Sequence, residues 1–138
     1  MHAILAAVDL DAGEPAIVRA LAAQQGRIVG ASDDEIAAAT RSVGAALAHP
    51  LLRRAAAAQQ RGELRRETPV WLRLADGSLA EGVVDLAFRE AGVWTVVDFK
   101  TDRDLEAHRA EHRTQVLLYA AAIAAATGET ARGVLLAL

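Results

Sequence analysis

The chain has 138 residues, enough for one domain that buries roughly two-thirds of the surface its unfolded form exposes. No run approaches the roughly 20 uninterrupted apolar residues of a membrane span, and Met1-His2-Ala3-Ile4-Leu5 lacks the basic start of a secretory signal, so a cytoplasmic protein with no membrane partner is expected. The absence of cysteine excludes disulfides, thiol catalysis and cysteine-ligated iron–sulfur clusters, and the net charge of -3 excludes a bulk attraction to polyanions, so that any such surface must be local.

The first sixty residues read as helices. Pro15 to Gln25 carries Ile17, Val18 and Leu21 at helical spacing and is expected to end near Gly26. Ser32-Asp33-Asp34-Glu35 is a capping-box pattern that opens a second helix through Ile36, Val43 and Leu47. His49-Pro50 breaks it, with His49 at the boundary and Pro50 in the first turn of a helix reaching Gln60. From Arg65 the period changes to two. Arg65 to Leu74, Leu79 to Arg89 and Val93 to Thr101 read as an antiparallel meander, joined by a tight turn at Asp76-Gly77 and a short link at Glu90-Ala91-Gly92. Leu105 to Ala126 returns to helical spacing and stops at Gly128, and Val134 to Leu138 reads as a last strand. The order predicts an α/β fold: a helical segment over residues 1–62, then a mixed sheet with a long helix after the third strand over 63–138. The return after that helix favours a parallel crossover.

Alternation along Val96-Val97-Asp98-Phe99-Lys100 sends Asp98 and Lys100 to one face and Val97 and Phe99 to the other. Asp85 lies in the preceding strand, and a hairpin brings it beside Asp98. Two neighbouring carboxylates repel unless a cation sits between them, and hard oxygen donors suit Mg2+ or Mn2+. Lys100 is the single lysine among fourteen arginines, which points to a place where a compact, titratable ammonium is needed and a guanidinium fork is not. The plainer alternative is a strand salt bridge between Asp98 and Lys100, with Asp85 ending a strand at the surface.

Gly82-Val83-Val84-Asp85, then Val97-Asp98-Phe99-Lys100-Thr101, then Gln115-Val116-Leu117-Leu118-Tyr119 resemble the nuclease motifs of the RecB and AddA family, within the PD-(D/E)XK, restriction-endonuclease-like superfamily. The resemblance runs from His2 to Leu138. It implies a restriction-endonuclease-like core and hydrolysis of DNA phosphodiesters with one or two divalent ions. Asp85, Asp98, the Phe99 carbonyl and His2 would hold metal, and Lys100 would position the nucleophile. Gln115 and Tyr119, four apart on one helical face, would meet a phosphate backbone or brace the lysine. Glu67 matches an acidic residue on the family's preceding strand and takes a supporting role, with pairing to Arg65 or Arg73 as the alternative. His2-Ala3-Ile4-Leu5 looks like the end of a G-T-x-x-H-x-x-L helix whose histidine ligates metal.

No G-x-x-x-x-G-K-[ST] run occurs, so the chain itself is not an ATP-driven motor. The resemblance instead implies a domain excised from a longer helicase-nuclease of double-strand-break repair and recombination, with a superfamily 1 helicase upstream and a second subunit as partner. The rival expectation is a noncatalytic DNA-binding or subunit-docking module of the same fold. Arg53, Arg54, Arg61, Arg65 and Arg66 form the one basic concentration outside the motifs, and His108 and His112 are expected to face solvent.

Overall fold

The computed structural model describes residues 1–11 and 14–138, with backbone alone at 102–104. Four helices come first: α1 (His2–Ala7), α2 (Pro15–Val29), α3 (Asp33–Ala48) and α4 (Pro50–Gln60). They are followed by β1 (Leu64–Arg73), β2 (Leu79–Glu90), β3 (Val93–Lys100), α5 (Asp102–Thr127) and β4 (Thr130–Ala137). The strands form one mixed sheet in the order β1-β2-β3-β4, antiparallel except for the β3–β4 pair, which the α5 crossover makes parallel as expected. The α/β, restriction-endonuclease-like architecture read from the sequence is the one observed.

The sheet is buried on both faces. One face packs Leu86, Phe88, Val97, Phe99 and Leu136 against Ile4, Leu5, Val18, Val43, Leu52 and Ala55 of α1–α4. The other packs Val70, Val84, Ala87 and Val96 against Val116, Ala120 and Ile123 of α5. Among the described residues no helix is long and apolar enough to cross a membrane.

Local chemistry explains most of the boundaries. The capping box is present: Ser32 Oγ accepts from Glu35 N, and Glu35 Oε2 accepts from Ser32 N at 2.8 Å. His49 caps α4, its Nδ1 accepting from Leu51 N at 3.1 Å. Ala91 and Gly92 both take left-handed φ, at 48° and 78°, the two-residue turn that matches the twist of a tight hairpin.

Two boundaries differ from the sequence reading. Helix α2 runs past Gly26 to Gly30, because Gly26 faces α3 so closely that a Cβ there would lie 2.5 Å from Ile36 Cγ1. That glycine is a packing residue. Strand β4 begins at Thr130 instead of Val134, since the parallel pairing runs from Val93↔Thr130 to Lys100↔Ala137.

Candidate active site

Strand β3 emerges beyond its hairpin partner with Asp98 and Lys100 on the face that carries Val96 toward α5, while Val97 and Phe99 enter the opposite core. Asp98 is 3% exposed. Lys100 Nζ stands 3.0 Å from Asp98 Oδ2. This buried oxygen is ion-paired but accepts no hydrogen bond among the described residues, which leaves it lone-pair capacity toward a second cation.

Asp85 is placed by an irregularity in β1 and β2. The antiparallel β2–β3 ladder stops at Leu86↔Val97, and one further step of that register would set Asp85 opposite Asp98. The backbone ladder does not continue there. Asp85 Oδ2 accepts the Phe99 N–H at 2.8 Å in its place. At the same level both β1 and β2 change faces: on β2, Leu86 lies in the core under α1–α4, whereas Val84 and Gly82 face α5. On β1, Arg66 reaches α1 and Val70 faces α5. The switch coincides with Glu67, whose φ of 45° is rare for a residue with a side chain and which falls between the pairs Arg66↔Leu86 and Thr68↔Val84. Glu67 is exposed, and among the described residues it forms no ion pair with Arg65 or Arg73. Its backbone turns the strand pair at the level of Asp85, a feature no pattern in Arg66-Glu67-Thr68 announces.

His2, from the first turn of α1, closes the cluster from the helical layer. Its Nε2 donates to the Phe99 carbonyl at 2.7 Å and lies 3.8 Å from Asp85 Oδ2, with the two rings edge to face. Arg66, which the sequence placed only in a basic run, secures this helix. Its Nη1 donates to the carbonyls of Leu5 and Ala6, both at 3.1 Å, and to that of Val8, while Nη2 donates to Gln59 Oε1 at 2.8 Å. A cation at the end of a helix also suits the negative end of its dipole.

Gln115 and Tyr119 meet each other, Gln115 Nε2 donating to the Tyr119 hydroxyl at 2.9 Å, and neither bonds Lys100. Tyr119 rests on Gly82, where any Cβ would collide with its ring. The pair lines a groove of about 570 Å³ between α5 and the protruding β1–β2 arm, separate from the carboxylates. His108 is exposed and paired with Glu111 at 3.4 Å. His112 departs from expectation: it is half-buried on the groove wall, and its Nε2 is screened from solvent without a hydrogen-bond partner. The basic run is largely engaged within the protein: Arg54 pairs with Glu90 and lies over Phe88, Arg61 pairs with Glu63, and Arg65 donates to the Gly62 and Leu64 carbonyls.

Burial pushes the Asp85 carboxyl above its ordinary range; the Phe99 N–H opposes this, the charge of Asp98 adds to it, and His2 and Lys100 pull the other way. Among the described residues, two acids, one lysine and His2 thus meet at the strand ends.

The PD-(D/E)XK nuclease superfamily model matches residues 1–138. No curated protein matches the chain.

Proposed function

Because the chain belongs to the PD-(D/E)XK nuclease superfamily, we propose that it is a divalent-metal-dependent deoxyribonuclease domain of the RecB and AddA type. The observation that carries this reading is the convergence of His2 Nε2, the Phe99 carbonyl and Asp85 Oδ2 beside the Asp98–Lys100 pair. The motifs Asp85, Asp98-Phe99-Lys100 and Gln115…Tyr119, together with His2, support the subfamily.

The donor set fits Mg2+ or Mn2+. Asp85, Asp98 and the Phe99 carbonyl offer hard oxygens, and Asp98 Oδ2 lacks a hydrogen bond. Among the described residues no three His, Asp or Glu side chains form a ready metal cluster by themselves. Bound there, a divalent ion would lower the pKa of a water and neutralise phosphate charge. The protein's own contributions follow from its geometry. Asp85 must be ionised, against its burial and the charge of Asp98. His2 must release the Nε2 proton it now gives to Phe99. Lys100 places an ammonium beside the carboxylates, where it orients an attacking water and offsets charge growing on the phosphate.

In this reading the domain works in double-strand-break repair and recombination, with an upstream superfamily 1 helicase in the parent chain and a second subunit delivering a strand. Labelled single- and double-stranded DNA, incubated with Mg2+, Mn2+ or EDTA, tests the core of it. Cleavage that needs the ion is expected. Binding without cleavage under every ion condition would instead mark a noncatalytic DNA-binding or docking module.

A further inference from the structure

We propose that the groove between α5 and the β1–β2 arm is a nucleobase subsite, which takes an unpaired base flanking the phosphate presented to Asp85, Asp98 and Lys100. The proposal rests on the nuclease reading and adds the form of substrate that it accepts.

The argument begins with the sheet face. Beyond the switch at Glu67 and Asp85, Val70 and Gly82 face α5, the same side to which Asp98 and Lys100 project from β3. Gly82 is three residues from Asp85, about 10 Å along a strand. A chain held at the carboxylates therefore has the groove within reach of its neighbouring nucleotides.

The composition of the groove selects a base over a phosphate. Val70, Leu72, Ala80, Leu118 and Ala122 give it an apolar lining. Among the described residues no lysine or arginine lines it, and the exposed Glu81 and Glu111 disfavour an anion but can accept N–H groups from a base edge. Its volume, about 570 Å³, suits a flat heteroaromatic ring with its sugar. One polar group is left with capacity to spare: the Tyr119 hydroxyl accepts from Gln115 at 2.9 Å, while its own proton has no acceptor among the described residues. A base inside a duplex cannot enter such a groove, so occupancy requires an unpaired strand.

The test compares binding, measured independently of cleavage. Fluorescence anisotropy with Ca2+ follows a labelled single-stranded oligonucleotide and the same oligonucleotide with abasic residues, which keep every phosphate. The expected preference for the base-bearing strand is at least about fivefold, the low end for one stacked base. It should shrink toward unity in Ala80→Phe, which fills the lining, and fall partway in Tyr119→Phe, which removes the hydroxyl, with circular dichroism confirming that both variants fold. Equal binding of base-bearing and abasic strands by the parent protein, with metal-dependent cleavage intact, would overturn the subsite and leave the nuclease reading standing. Absence of both binding and cleavage would overturn both.

Discussion

Asp98 and Lys100 share one strand face and one ionic contact, yet substitution should separate them. Asp98→Ala removes a proposed ligand, so calorimetric titration should show weakened Mn2+ binding and a cleavage assay no product. Lys100→Ala leaves the carboxylates and removes a competing cation, so metal should still bind while turnover falls by about a hundredfold or more. If both variants bind and cleave like the parent, the two residues are only a strand salt bridge. Asp85 carries a pH signature. Its carboxyl is held above the ordinary 3.8, chiefly by burial. The folded state therefore grips this proton more tightly than the unfolded chain. That stabilisation is fully present below the unfolded value and is lost as pH rises through the raised folded one. Metal-free Asp85→Asn keeps an acceptor for the Phe99 N–H without the buried charge. It should melt above the parent at neutral pH, with the two thermal curves converging as pH falls. A lower melting temperature for the variant at neutral pH would contradict this account. The shared face of Asp98 and Lys100 was readable because alternation in a strand has a period of two, whereas Asp85, at a break in that alternation, was reached through the hairpin and the motif. The left-handed Glu67 was not readable, since glutamate has no local preference for that conformation and tertiary twist imposes it.

At the level of elements, two contacts set the walls of the site. Arg66 joins β1 to the end of α1 through main-chain carbonyls, so Arg66→Ala strands half-buried acceptors and should cost about 1–3 kcal/mol in denaturant unfolding. Mn2+ affinity should fall with it, because α1 carries His2. Gly82→Ala puts a methyl 2.5 Å from Tyr119 Cε1, an overlap expected to cost about 1–3 kcal/mol and to break the Gln115–Tyr119 bond. Unchanged stability in the latter variant would mean that Tyr119 moves freely. The sequence supplied the helices that carry their own stop signals, such as the Ser32–Glu35 box and the His49-Pro50 break. It misplaced the end of α2 because glycine is the commonest helix stop, and nothing local distinguishes a glycine needed by a facing Ile36. The start of β4 was hidden for a related reason. Thr130-Ala131-Arg132-Gly133 has little alternation in bulk, and its extended form is set by pairing with β3 and by close passage beneath Val116, whose carbonyl lies 2.9 Å from a Cβ at Gly133.

For the whole molecule, the distribution of charge bears on how DNA is met. The net charge is -3, and Arg54, Arg61, Arg66 and Arg89 are tied to internal carboxylates or carbonyls. Other exposed arginines, such as Arg19, Arg27, Arg41 and Arg53, lie on α2–α4, outside the strands that carry the site. The isolated chain should therefore bind duplex weakly, with a logarithmic salt slope shallower than about -3, and degrade it poorly. Steep salt dependence, or rapid processive digestion of blunt duplex, would show an electrostatic footprint that these arginines do not supply.

Helix α1 has a consequence of another kind. His2 rides on the helical layer, whereas Asp85, Asp98 and the Phe99 carbonyl belong to the sheet, so an ion held by all four would rivet one layer to the other. Reciprocity then requires that whatever seats α1 tightens the ion, and that the ion in turn seats α1. A pull on α1 would thereby be transmitted as a change in metal occupancy, without any contact being made at the carboxylates themselves.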